Sequence, residues 1–279
     1  MKLKGADESW RYLLECIMVC GDEVSPRGMK TKEMLHTNTI SVDMRRPVVT
    51  TKARKLNYKF MAAEALWILA GRNDVESLSD YVPRMAEFSD NGEVLAGAYG
   101  PRITPQLPYV VDALVRDRDT RQAVLTIWTP NPPPSKDIPC TISMCFSIRA
   151  RKLHQHVYMR SSDGWLGIPY DIFSFCMVGL KVRDMYNQAV RNLYDEGLIA
   201  PKPKLHVQPG IMTISMTSSH LYERDWPKVE TILATEASPE VVPLPLDLVW
   251  EAIESSLVAM REGWKSADYG WNLKGREHD

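Results

Sequence analysis

Apolar residues along this chain recur in two rhythms, one helical and one alternating, with turn-rich stretches between them. In residues 9–20 (SWRYLLECIMVC), Trp10, Leu13, Leu14, Ile17 and Met18 fall at helical spacing, with Asp7 or Ser9 placed to cap the start. Residues 21–28 read as a loop and 37–49 as a strand. Residues 56–71 (LNYKFMAAEALWILAG) are apolar nearly all round and end on a glycine, the pattern of a buried helix. A more polar helical stretch follows over 77–88, turns surround Asn91-Gly92 and Gly97–Pro101, and 107–116 is helical again. Residues 123–128 predict a strand, 130–134 a stiff Pro-rich loop, and 141–150 with 152–158 a hairpin. The longest helix is expected over 171–198. A strand over 204–216, a helix over 225–236, an extended Pro-rich 239–246, a helix over 248–262 and a charged, frayed tail from 274 complete the pattern.

Strands and helices mixed without regular βαβ alternation predict an α+β fold, taken as a single domain over 1–279. The formal charge of −1, from 34 basic and 35 acidic residues, argues against a nucleic-acid coat or a polybasic membrane patch. The start of the chain lacks an apolar signal core and no long uncharged apolar run follows, so a cytoplasmic protein with reduced thiols is expected.

Five scattered cysteines are too few for a disulfide framework. Cys16 and Cys20 stand four apart on a helix without further ligands nearby, which favours buried thiols over a metal. His154 and His156 share a strand face, again without further ligands. No metal site is expected. Glu64 lies within the most apolar helix, either as a surface glutamate or as a buried carboxylate that needs a partner, water or ligand. Arg27 is either a solvated loop arginine or a ligand contact. Cys140 follows a proline at the start of a strand, with Arg160 one hairpin away to lower its pKa. On residues alone it is not clearly a better nucleophile than Cys145, which is expected in the core.

Several ordered motifs carry more. Pro139-Cys140, Arg160-Ser161-x-Asp163-x-x-Leu-Gly-x-Pro-Tyr and His220-Leu-Tyr222 resemble the thymidylate synthase family in order and spacing. Glu64-Ala-Leu-Trp-Ile-Leu-Ala-Gly71, Tyr99-Gly100 and Thr120-Arg121 extend the resemblance over roughly residues 8–235. It implies a mixed sheet flanked by helices, with one sheet face packed on its twin in a homodimer. It also implies that Cys140 attacks C6 of a pyrimidine nucleotide, whose C5 then takes a one-carbon unit from 5,10-methylenetetrahydrofolate. By the same resemblance, Arg27, Arg160 and Ser161 match phosphate-binding positions, and Arg121 matches the arginine lent across the dimer. His220 and Tyr222 match the residues on the sugar hydroxyl, Asp163 the carboxylate that holds the pterin, and Glu64 the one that organises water and proton transfers. Forked, permanently charged guanidinium groups suit a phosphate dianion.

Two departures from the family pattern bear on the reaction. Where thymidylate synthases carry an asparagine that reads uracil, this chain has Asp171, whose carboxylate can accept from the cytosine N4 amino group. The alternative is that Asp171 only caps the following helix. Residues 77–100 contain no tryptophan and the chain ends Lys-Gly-Arg-Glu-His-Asp279, whereas the synthases shield an exocyclic methylene from water with a tryptophan and an apolar tail. Hydration of that methylene, with Glu64 activating the water, would give a hydroxymethyl product. The combination resembles the deoxycytidylate (dCMP) hydroxymethylases, a phage branch of the family. Gln122, where many synthases have a second arginine, is a further departure. A dCMP methyltransferase, a cytidylate hydroxymethylase, a thymidylate synthase and a non-catalytic nucleotide- or RNA-binding regulator are the alternatives. Salt-dependent RNA binding would mark the last of these.

Overall fold

A seven-stranded mixed sheet with helices packed on one face is the frame of the molecule. The computed structural model describes residues 4–199 and 206–236, together with Ser255. The stretches expected over 239–246 and 248–262 and the tail from 274 lie outside the described residues, Ser255 apart.

In chain order the strands are β1 (Asp22–Val24), β2 (Thr31–Asp43), β3 (Val124–Thr126), β4 (Thr141–Arg149), β5 (Lys152–Met159), β6 (Ser162–Asp163) and β7 (Gln208–Tyr222). They pair in the order β1-β2-β7-β5-β4-β3, with β6 beside β7. The β7 pairings with β5 and β6 are parallel and the others antiparallel. The helices are α1 (Ala6–Cys20), α2 (Tyr58–Leu69), α3 (Glu76–Ser79), α4 (Gly100–Ile103), α5 (Leu107–Arg116), α6 (Ile168–Asp195) and α7 (Trp226–Leu233).

Alternation decides which way the sheet faces. Met144, Phe146 and Ile148 of β4, Leu153 and Val157 of β5, and Met212 and Ile214 of β7 are buried toward the helices. Their neighbours Cys145, Ser147, His154, His156 and Thr213 point to the opposite face, where with Arg121 they line a cavity of about 380 Å³. Cys145 is therefore not a core residue, because its place between Met144 and Phe146 sends it to the outer face. His154 accepts from the Ile211 N–H at 3.2 Å, and His156 Nε2 lies 2.8 Å from Ser215 Oγ. No cluster of metal-ligating side chains occurs among the described residues.

Helix α6 runs through the middle of the helical layer, and Phe175, Met177 and Val178 among its residues are fully buried. Pro169 in its first turn is tolerated because the first N–H groups of a helix have no intrahelical partner. Helix α2 packs against it. Asn57 caps α2 by accepting from the Phe60 N–H at 3.0 Å, and Gly71 at φ +74° ends it. A Cβ on Gly100 would meet the Arg72 backbone and the Ile68 carbonyl at 2.9 Å, so only glycine lets the Tyr99–Gly100 turn press against the end of α2.

Several expectations need correction. Asp7 does not cap α1; its Oδ1 accepts from the Thr50 and Thr51 N–H groups at 2.9 and 2.7 Å and from the Thr51 hydroxyl at 2.8 Å. Ser9 instead donates to the Ser41 carbonyl. Cys20 is exposed and Cys16 half-buried, since both lie off the stripe that Trp10, Leu13, Leu14 and Ile17 bury. The strand expected over 37–49 is β2, which starts earlier because β7 pairs with its polar residues from Thr31 onward. It stops at Asp43, which takes the Arg45 N–H and guanidinium in a turn ahead of Pro47. The helix expected over 77–88 breaks into α3 and a 3-10 segment beginning at Pro83. Part of the loop over 21–28 is strand β1.

Candidate active site

Cys140 and Arg160 meet because they sit at the same end of the β4–β5 hairpin. The Arg160 N–H donates to the Cys140 carbonyl at 2.9 Å. The Arg160 guanidinium then turns back, with Nε donating to the Pro139 carbonyl at 2.9 Å and Nη2 to the Ile138 carbonyl at 3.0 Å. Nη2 also lies 3.8 Å from Cys140 Sγ, and the group stands over the Trp128 ring. A register shift between Thr141 and Ser143 bends β4 just beyond the cysteine, a common device for re-aiming a side chain beside a site.

The segment after Arg160 is pinned at both ends. In the parallel pairing of β6 with β7, Asp163 stands opposite His220, and Ser161 Oγ lies 3.5 Å from His220 Nδ1. Asp163 Oδ1 accepts from the N–H groups of Trp165 and Leu166, both at 2.8 Å. That leaves Oδ2 without a partner among the described residues. Trp10 Nε1 donates to the Gly164 carbonyl at 2.7 Å, and Arg54 holds the Trp165 carbonyl while stacking on its ring. The His220 and Tyr222 rings meet edge to face, 5.2 Å apart.

The turn then delivers Asp171 to the first turn of α6. Asp171 is not the cap: the cap position is Gly167, and no side chain bonds the free N–H groups there. No described residue donates a hydrogen bond to its carboxylate or to that of Glu64. Burial pushes Asp171 up to about 7, and the charge of Asp163 adds to the shift. Glu64 on α2 is pushed up to about 8, first by burial and then by the charge of Asp171. Glu64 is thus half-buried without a hydrogen-bond partner among the described residues, and its carboxylate lies within reach of the charge of Asp171.

Burial also raises the Cys140 thiol. Arg160 opposes that rise, while Asp171, Asp137 and Asp163 add to it. Asp163 itself is raised by burial against the pull of its two N–H donors and His220, and burial lowers His220.

The structure therefore gathers Cys140, Arg160, Ser161, Asp163, Asp171, Glu64, His220 and Tyr222. Arg27 is exposed in a strained left-handed turn at φ 54°, close enough for its charge to act on His220. Arg121 is not brought to this cluster; it lines the cavity on the outer sheet face. Two residues join that site reading does not single out. Tyr99, raised well above its ordinary value by burial, feels Asp171, Cys140 and Glu64, and its ring packs near Phe175. Its only sequence signal is the Tyr-Gly turn. Asp137 accepts from the Gly97 N–H at 2.7 Å and so ties the segment leading to Cys140 to the one leading to Tyr99. Nothing local in the sequence marks that contact.

Residues 8–256 match the family described as thymidylate synthase. The chain is 35% identical over 175 residues to the deoxyuridylate hydroxymethyltransferase of Bacillus phage SP01, covering 54% of this chain and 44% of the phage protein. It is 35% identical over 178 residues to the protein of the same name from Pseudomonas phage M6, covering 56% and 50%. For that of Delftia phage PhiW-14 the identity is 34% over 141 residues, covering 45% and 40%. The chain thus spans half or less of the length of these curated relatives.

Proposed function

The chain belongs to the thymidylate synthase family, and from that premise we propose that it transfers a one-carbon unit to C5 of a pyrimidine deoxynucleotide, with deoxycytidylate as substrate and 5-hydroxymethyl-deoxycytidylate as product. The observation that carries this reading is the grouping of Cys140, Glu64 and Asp171 around one point of the fold.

In this reading the Cys140 sulfur adds to C6 as its proton leaves, and electron density moves to C5. Arg160, 3.8 Å from the sulfur, favours the thiolate. Arg27, Arg160 and Ser161 hold the phosphate dianion. His220 and Tyr222 hold the sugar hydroxyl. Asp171 reads the base edge, accepting from the N4 amino group of cytosine.

Methylenetetrahydrofolate supplies carbon at the oxidation level of formaldehyde. The half-buried Asp163 keeps Oδ2 for the N–H donors of the folate's pterin, since both backbone N–H groups bond Oδ1. C5 bonds the one-carbon unit, and loss of the C5 proton with departure of tetrahydrofolate leaves an exocyclic methylene. Water then adds at that carbon as the Cys140–C6 bond breaks, and one water proton is released. No net oxidation or reduction is needed. Glu64, protonated near neutrality but able to lose its proton, is the group to activate that water. The names of the phage relatives support the hydroxymethyl outcome and favour deoxyuridylate as a second reading of the substrate. Packing of the outer sheet face on a second copy would carry Arg121 to the neighbour's phosphate. A cytoplasmic location fits a nucleotide enzyme, and no helix among the described residues is long and apolar enough to cross a membrane.

The test is a product assay on dCMP, dUMP, CMP and UMP with methylenetetrahydrofolate. A hydroxymethyl mass increment on dCMP with release of tetrahydrofolate is expected. Dihydrofolate absorbance would establish the methylating route instead.

A further inference from the structure

The base-reading position is occupied by a carboxyl group in unusual company. The Asp171 carboxyl lies within electrostatic reach of Glu64 on α2, Tyr99 in the turn before α4, Cys140 at the start of β4 and Asp163 on β6. None of these groups is a cation. The two nearby guanidinium groups are engaged elsewhere, Arg160 with the Ile138 and Pro139 carbonyls and Arg54 with the Trp165 carbonyl. His220, the remaining basic group, faces Asp163. No described residue donates to the Asp171 carboxylate. Phe175, one turn on along α6, is fully buried and packs near Tyr99. An unpaired carboxylate among acids and aromatic rings takes up a proton in preference to staying ionised.

We propose that Asp171 meets the base as a neutral carboxylic acid and in that form reads uracil as well as cytosine. A neutral acid has one donor and one acceptor oxygen. Toward uracil the O–H donates to O4 and the carbonyl oxygen accepts from N3–H. Toward cytosine the O–H donates to ring N3 and the carbonyl oxygen accepts from the N4 amino group. The carboxyl is symmetric, so the proton changes oxygens without any rotation of the side chain. An ionised Asp171 sets oxygen against oxygen at uracil O4. With cytosine, the missing proton can still arrive on ring N3. Uracil recognition is therefore lost first as pH rises, and the identity of the base accepted depends on pH. The site value of about 7 puts that change near neutrality.

This inference rests on the reading of Asp171 as the residue that faces the base. The measurement is calorimetric affinity for dUMP and dCMP, taken separately from about pH 6 to about pH 8.5, on either side of the Asp171 titration. Taking the ratio of the two affinities cancels the titration of the nucleotide phosphate, which both ligands share. The dUMP-to-dCMP affinity ratio should be highest at the acid end and fall up to about tenfold per pH unit above the titration point. Asp171→Asn should bind dUMP with a ratio that no longer depends on pH. A flat ratio in the wild type, with preference shifted in Asp171→Asn, would overturn the protonation mechanism and leave the base-reading role standing. An unchanged preference in Asp171→Asn would overturn both.

Discussion

Arg160 approaches the sulfur of Cys140 to 3.8 Å while two backbone carbonyls from the cysteine's own approach segment hold its guanidinium in place. The charge that favours the thiolate is thus fixed by the chain that carries the thiol. Among the groups acting on Cys140, Arg160 pulls its pKa down, while burial and three carboxylates push it up. Arg160→Ala should move the midpoint of Cys140 alkylation by iodoacetamide upward in pH. Asp171→Asn should move it the opposite way. Shifts of the same sign in both variants would contradict this electrostatic arrangement.

Cys140→Ser should abolish turnover on every nucleotide while leaving nucleotide binding within about threefold of wild type, because the hydroxyl fills the same space and is a far weaker nucleophile. Turnover by the variant within about tenfold of wild type would remove Cys140 from the reaction.

Glu64 makes stability depend on pH in a direction opposite to most carboxylates. A free glutamate ionises near 4.5, whereas in the fold the proton is held up to about 8. The folded chain therefore binds more protons across that interval, so stability falls as pH rises through it and levels off above. Glu64→Gln should remove that slope and gain on the order of 3 kcal/mol of stability at the alkaline end. The same variant should lose the hydroxymethyl product by a factor of about 100 or more. Thermal denaturation across the interval checks the first effect; parallel curves for the two proteins would refute it.

Asp7 holds the Thr50–Thr51 backbone against the start of α1 through one carboxylate oxygen with three donors. Asp7→Ala should cost about 2–3 kcal/mol in urea denaturation, since it strands two N–H groups at a buried junction. A loss below about 0.5 kcal/mol would show that water replaces the carboxylate there.

The sequence makes local features plain and long-range ones faint. Helix α5 and the β4–β5 hairpin are where periodicity puts them, because each contains its own pattern and its own turn. The first residues of β2 do not alternate, and only pairing with β7, far along the chain, makes Thr31 to Leu35 a strand. Asp7 looks like a cap when only neighbours are weighed; its partners lie more than forty residues away. In the site, it is the ordered motifs resembling the thymidylate synthase family that point to Cys140, Arg160, Asp163 and Asp171; on residue chemistry alone Cys140 and Cys145 stay level. The lack of any hydrogen-bond donor to the Asp171 carboxylate among the described residues, and the contact of Asp137 with Gly97, are properties of the packed chain.

The parallel pairing that sets Asp163 opposite His220 makes two binding tasks mechanically one. The carboxylate proposed for the folate and the imidazole proposed for the sugar stand at the two ends of one rung of the ladder. A tilt or slide of β7 displaces both together. A nucleotide that seats His220 as proposed would thereby also set the position of Asp163, so occupancy of one site would be felt at the other.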